Sequence, residues 1–109
     1  MEILLALIGD LGSRELLAMY LVYMRQLSVS TSARVLGISP NVIVLSERKL
    51  RKSGFRGEKL TLDQARTTVA GLYGDLSREY QDIIFGAILT RVKCSPNTRK
   101  KLLALHRSQ

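Results

Sequence analysis

Basic side chains are the residues of this sequence best able to do chemistry, and they are concentrated in two places. Residues 48–59 include six Lys and Arg residues and only one acidic residue, Glu58. From residue 91 onward there are six more and no acid. Such clusters bind nucleic-acid phosphates, because ammonium and guanidinium groups neutralise the charged backbone. The members that we assign to double-stranded DNA are Arg48, Arg51, Lys52, Arg56 and Lys59 in the first cluster and Arg99, Lys100 and Lys101 in the second.

The whole chain shares this bias toward positive charge. It has 109 residues, with 17 basic and 9 acidic side chains and a net charge of +8. A polyanionic partner is therefore expected. The ordinary alternative for a run of Lys and Arg is a solvated charged face. A membrane surface would also attract the charge, but the basic residues do not lie opposite a broad apolar face on one long helix.

The sequence offers little that could hold a metal, a cofactor or a reaction intermediate. Cys94 and His106 are the only residues of their types, and His106 has no obvious catalytic partner. A single cysteine excludes an internal disulfide and a multi-cysteine zinc site. The Gly-Phe-Arg-Gly segment at residues 54–57 lacks the strand and helix context of a phosphate-binding glycine loop. We therefore expect neither an enzyme nor a bound cofactor.

The first basic cluster begins within a segment, residues 30–52, whose residue types predict two short helices joined by a tight turn. Gly37 suits a left-handed turn residue, and Ser39 with Pro40 suits the capped start of the second helix. This is the pattern of a DNA-binding helix-turn-helix, with Ser39 and Asn41 positioning the recognition helix and Asn41 a candidate base-contacting residue. The alternative is a tight helical corner inside an all-α protein, with no DNA near it.

One stretch of the second helix departs from this pattern. Ser46 stands where such motifs usually bury an aliphatic side chain, and Leu45 is the expected substitute. Val44 and Leu45 also fall near the positions at which polar base-contacting side chains are expected.

Helical periodicity continues beyond this segment and predicts an all-α fold of five to seven helices in one domain, residues 1–109. Thr61 and Gln64 predict the capping-box start of one helix. In the following helix, an apolar repeat at helical spacing is expected to face inward, formed by Tyr80, Ile83, Ile84, Ala87, Ile88 and Val92.

The basic C-terminal helix or tail, residues 91–109, could hold a second stretch of DNA backbone or dock on a partner through its leucines. The opposite end of the chain is apolar, but Glu2 and Asp10 and the lack of an early basic region make it a poor signal peptide. No apolar run is long enough to span a bilayer. A cytoplasmic protein is the simplest expectation.

The helix predicted over residues 14–27, with Ser13 as its cap, is unusual because LLAMYLVYM at residues 16–24 is apolar almost all round. A helix without a polar face must be covered on every side. In so small a chain we expect a second copy to supply part of the cover, and the alternative is a central helix wrapped by its own chain. The expected core and dimer-interface residues are Leu17, Met19, Tyr20, Val22, Tyr23 and Met24.

Three collinear stretches match the pattern of a known family. They are the apolar opening at residues 4–11, the aliphatic segment 16–24 with the Leu-Gly-Ile-Ser turn at 36–39, and Asp-Leu-Ser-Arg at 75–78 followed by IFGAILTR at 84–91. Together they cover about half of the chain and resemble the FlhD family, the D subunit of the flagellar master transcriptional activator.

The resemblance implies an all-α dimer that activates transcription together with a second, FlhC-like subunit, which in that family carries the zinc site and much of the DNA contact. It places Ser77 and Arg78 near DNA or near this partner. The chain departs from the family in having Arg34-Val35 before Leu36, where an aromatic residue followed by Arg is favoured. It also lacks the family's mid-chain cysteine, and its residues 46–60 are much more basic.

These observations favour a DNA-binding transcriptional regulator, an activator subunit that works with a partner protein. The alternative is a protein-binding adaptor or anti-activator that docks a partner through its apolar helix and basic tail. An RNA-binding module is disfavoured, because few aromatic side chains are available to stack on bases.

Overall fold

All regular structure in the computed structural model, which describes residues 1–55 and 58–108, is helical. This confirms the predicted all-α class. A π-helical segment, Met19–Met24, continues α2 without a break. None of the described helices combines the length and apolar character needed to cross a membrane. The helices are α1 (Glu2–Asp10), α2 (Ser13–Ala18), α3 (Val29–Leu36), α4 (Pro40–Ser53), α5 (Leu62–Gly74), α6 (Arg78–Arg91) and α7 (Pro96–Arg107).

The π-helical segment lies at the centre of the core. Its six side chains are between 0 and 6% exposed, and it packs against α5, α2 and α3. The π-helical segment ends with a hydrogen bond from the Arg25 N–H to the carbonyl of Tyr20, five residues earlier, at 2.8 Å. Gln26, in the left-handed region at φ 55°, then turns the chain away. A helix covered on every side can be apolar on every side, which accounts for its composition.

The residues expected at a dimer interface are covered by the chain's own helices. All six are no more than 6% exposed. They therefore offer no surface to a second copy, and the structure has the alternative arrangement, a central helix wrapped by its own chain. The assignment of an interface to these positions is corrected for Leu17, Met19, Tyr20, Val22, Tyr23 and Met24.

The corner between α3 and α4 follows from a few local residues. Gly37 takes the left-handed conformation at φ 67°. Its N–H donates to the Arg34 carbonyl at 3.3 Å, and the Ile38 N–H donates to the Ala33 carbonyl at 3.0 Å. This pair of bonds is the Schellman motif, which satisfies carbonyls that the helix end would leave free. Ala33 is 2% exposed, so its small side chain lets the two helices approach each other.

Replacing Gly37 with Ala is expected to lower the free energy of unfolding by about 1 kcal/mol, because a β-carbon is strained in the left-handed region. Urea denaturation followed by circular dichroism measures this change. Gly71→Ala is the matched control, because Gly71 lies within α5 and nothing stands within 4 Å of a β-carbon there. Since Ala is the better helix former, the control is expected to be stabilising by about 0.5 kcal/mol. Loss of stability in both variants would contradict the assigned role of the left-handed turn.

Helix starts agree with the sequence in some places and differ in others. The capping box of Thr61 and Gln64 is present. The Thr61 N–H donates to the Gln64 side chain at 2.9 Å, and the Gln64 N–H donates to the Thr61 hydroxyl at 3.2 Å. Pro40 stands in the first turn of α4, but Ser39 makes no capping bond with its side chain. Ser13 does not cap α2 either. Its hydroxyl accepts a bond from the Lys93 N–H at 2.8 Å and so ties α2 to the α6–α7 connection.

The apolar repeat predicted for α6 is buried only in part. Ile84 and Ile88 are buried as predicted, and Phe85 is buried beside them. Tyr80 and Ile83 are 47% and 46% exposed, so the expectation that they face inward was wrong. The repeat is wider than the face that the neighbouring helices cover, and the sequence does not say where that cover ends.

Candidate nucleic-acid interface

One face of α4 is exposed along its whole length. Its opposite face is buried through Ile43, Ser46, Glu47 and Leu50. Positions 41, 45, 48 and 52 follow helical spacing, so they form one line of side chains on the surface. The exposed residues of this face, which we call the α4 face, are Asn41, Val44, Leu45, Arg48, Lys49 and Lys52.

A shallow groove of about 350 Å³ runs between the α4 face and the start of α2. Arg14, which is exposed, stands across this groove from Arg48, Lys49 and Lys52. Glu15 is the one carboxylate among the residues that line it. Arg14 was missed by the sequence reasoning, because it is an isolated cation far from both basic clusters.

A second groove, of about 260 Å³, adjoins the corner between α3 and α4. Arg14 lines it too, together with Ile38 of the corner, Lys93 and the first residues of α7. Arg14 therefore stands between the two grooves and joins the α4 face to the start of α7 in one surface. We call Arg14, Arg48, Lys49, Lys52 and Lys93 the basic surface.

The anomaly at Ser46 is resolved within α4. Ser46 is 6% exposed, and its hydroxyl donates a 2.8 Å bond to the Val42 carbonyl one turn earlier. A hydroxyl satisfied in this way can be buried without a partner from another helix. Leu45 does not take the aliphatic position, since it is 49% exposed, and the expectation that it would do so was wrong.

The only carboxylate of α4 is turned away from the α4 face. Glu47 is 2% exposed, and its two oxygens accept bonds of 2.9 and 3.0 Å from the guanidinium of Arg66 on α5. Such a two-pronged pair fixes orientation as well as distance, so it sets the rotation of α4 about its own axis. Hydrogen bonding to Glu47 raises the pKa of Arg66. Burial, followed by the nearby Glu47 charge, raises the pKa of Tyr23.

Two of the predicted DNA-binding residues are engaged in contacts inside the fold. Arg99 donates a 3.1 Å bond to the Leu89 carbonyl and so joins α7 to the end of α6. Arg78 donates a 2.9 Å bond to the His106 carbonyl and lies 3.2 Å from Asp82. Arg78 is therefore near the end of α7, whereas the basic surface meets the start of that helix. The structure does not bring Arg78 into the basic surface.

The remaining predicted residues are dispersed. Ser39 and Asn41 are exposed at the start of α4, and Arg51 is half-buried on the flank of that helix. Lys59 is exposed before α5. Lys100 and Lys101 are exposed on α7. Arg56 lies outside the described residues.

A polar network at the end of α7 was also missed by the sequence reasoning. His106 Nε2 lies 2.6 Å from Asp82 Oδ1, and His106 Nδ1 lies 3.4 Å from the Tyr20 hydroxyl. The imidazole stacks on the Phe85 ring, with centroids 4.1 Å apart and planes 10° apart. Burial, with a smaller contribution from Tyr73, raises the pKa of Tyr20.

The order of these groups resembles a proton relay, but its placement indicates an anchor. Tyr20 is 1% exposed and His106 is 6% exposed, and neither lines the two grooves described above. The network instead ties the end of α7 to α6 and to the π-helical segment. The contacting residues are 86 and 24 positions apart in the sequence, so no local sequence pattern predicts these contacts.

Within residues 1–55 and 58–108, no three His, Cys, Asp or Glu side chains come together in a way that could hold a metal ion. Comparisons with protein-family models, with curated proteins and with solved structures returned no match. The FlhD-like pattern of the sequence therefore stays a prediction.

Proposed function

We propose that this protein is a DNA-binding transcriptional regulator that uses the corner of α3 and α4 as a helix-turn-helix, with α4 as its recognition helix. The observation that carries the proposal is the composition of the α4 face. Arg48 and Lys52 share a line of side chains with Asn41, while the carboxylate of the same helix is buried against Arg66. An exposed helix face whose charged side chains are all basic suits docking in a major groove.

Residues of the α4 face and of the basic surface have different roles in this proposal. Asn41, at the start of α4, would contact a base edge, since an amide can bond adenine in two places. Leu45 would meet a thymine methyl group. Arg48 and Lys52 would bind phosphates along one strand, and Arg14 and Lys93 would bind phosphates beyond it. Activation through a second, FlhC-like subunit and a cytoplasmic location belong to the same proposal and rest on the sequence.

Replacing Arg48 and Lys52 together with Ala is expected to weaken binding to random duplex DNA about tenfold at low salt. The log–log dependence of affinity on salt should become shallower by about 0.9 for each phosphate that the variant no longer neutralises. Fluorescence anisotropy of a labelled duplex across a salt series measures both quantities.

The matched control is Arg91→Ala with Arg107→Ala, which removes the same charge from exposed positions outside the basic surface. An equal loss in the two double variants would show that net charge alone attracts DNA. Unchanged binding by the Arg48 and Lys52 variant would remove α4 from the interface.

The adaptor alternative gains no support in the form in which the sequence suggested it. Its apolar helix is buried in the core. Leu102, Arg99 and His106 hold α7 against the rest of the chain, so this helix is not a loose tail.

A further inference from the structure

A third groove, of about 540 Å³, lies between α1, α5 and four residues after α4, namely Gly54, Phe55, Glu58 and Leu60. Its largest apolar exposure comes from Ile3, which is 61% exposed. Phe55, Leu60 and Leu72 are half-buried and present part of their surface to the groove. A row of apolar side chains left open in this way suits the apolar face of another helix.

The floor of this groove is held in place by a close helix contact. Gly54 ends α4, and a β-carbon there would stand 2.9 Å from the Leu50 carbonyl and 3.1 Å from a methyl group of Leu7. No larger residue fits without movement of α1 or α4. This contact packs α1 closely against the end of α4, on one side of the groove.

The charge of the groove's described lining is negative, opposite in sign to the net charge of the chain. The charged residues among its described lining are Glu2, Asp10 and Glu58, and all three are exposed. They are a third of the nine acidic side chains in a protein of net charge +8. Carboxylates around an apolar floor attract cations and repel phosphates and acidic peptides.

We propose that this acid-rimmed groove binds an amphipathic helix of a partner protein in which Lys and Arg flank the apolar anchor residues. Anchors at every third and fourth position would enter the groove beside Ile3 and Leu72, and the flanking cations would meet the three carboxylates. This surface is separate from the basic surface. A partner could therefore dock here while α4 is engaged elsewhere, and the inference does not depend on DNA binding.

A designed helical peptide of about five turns, with Leu on one face and Lys on the others, is the probe. Fluorescence anisotropy is expected to show saturable binding to the full chain, and amide chemical shifts should change at Ile3, Ala6 and Leu72. A matched peptide with Glu in place of Lys should not bind. Because the chain repels cations overall, saturable capture of a cationic peptide requires a local acidic site.

The triple variant Glu2→Gln, Asp10→Asn and Glu58→Gln is expected to weaken binding of the Lys peptide at least tenfold. The variant Asp63→Asn, Asp75→Asn and Glu79→Gln removes the same charge from other exposed positions and should change binding less than twofold. Ile3→Ser should weaken binding about fivefold without unfolding the chain, since Ile3 is 61% exposed.

Three results would overturn the inference. The first is no binding of the Lys peptide, and the second is an equal loss in the two triple variants. The third is self-association of the free chain that the groove variants abolish, which would assign the groove to a second copy. DNA affinity of the groove triple variant, measured in parallel, keeps a failure here distinct from a failure of the proposed function.

Discussion

Arg66→Ala is expected to lower the free energy of unfolding by about 3 kcal/mol. The Glu47 side chain is 3% exposed, and both of its oxygens are bound by Arg66. Removing the guanidinium leaves a buried carboxylate with neither its charge partner nor its hydrogen bonds, which costs far more than losing a surface ion pair. Urea denaturation at neutral pH, followed by circular dichroism, measures the change.

Two further variants separate this explanation from a general effect of reduced charge. Lys101→Ala removes an exposed cation and should change stability by no more than about 0.5 kcal/mol. Joint replacement of Glu47 and Arg66 by Leu removes the pair without leaving a buried charge, so much of the stability should return. A loss of less than about 1 kcal/mol in Arg66→Ala would contradict the assigned role of the pair.

His106→Ala is expected to destabilise the fold by about 2 to 3 kcal/mol. The substitution removes the imidazole that stacks on Phe85 and leaves a cavity between α6 and α7. It also removes the nitrogen beside the Tyr20 hydroxyl and the 2.6 Å hydrogen bond with Asp82. Thermal unfolding gives the stability, and hydrogen exchange at the amides of α7 reports whether this helix loosens first.

Neighbouring positions provide the comparison for His106. Arg107→Ala changes an exposed residue in the same turn and should be nearly neutral. His106→Phe keeps a ring against Phe85 but makes neither polar interaction, so its stability should fall between those of the wild type and the Ala variant. Equal stability of the wild type and the Ala variant would show that the network does not anchor α7.

Features that depend on a few adjacent residues were predictable from the sequence. The capping box at Thr61 and Gln64 and the turn at Gly37 are formed by bonds within one or two helical turns. Pro40 begins α4 because its fixed φ and missing N–H suit a first turn. Local chemistry also gave the all-α class, since each segment carries its own apolar periodicity.

Features that depend on which helices meet were not predictable. Tyr80 and Ile83 belong to the same apolar repeat as the buried Ile84 and Ile88, and only the packing of the other helices decides which members of the repeat are covered. The apolar segment 16–24 gave no sign that α5 would cover it. For the basic surface, the sequence indicated α4 and included Lys93 in the second basic cluster, but it gave no sign of Arg14, which joins the two through the fold alone.

The central position of Met19–Met24 has a consequence for synthesis on the ribosome. This segment is synthesised before the helices that cover it, since it packs on α5 and its Tyr20 meets a residue 86 positions further along the chain. At a translation rate of about 5 to 20 residues per second, roughly 4 to 16 seconds pass before the last residues that bury these apolar side chains have been synthesised. During that interval the nascent chain exposes an apolar stretch that aggregates readily. The yield of folded protein should therefore depend on the rate of translation and on chaperones that hold apolar segments.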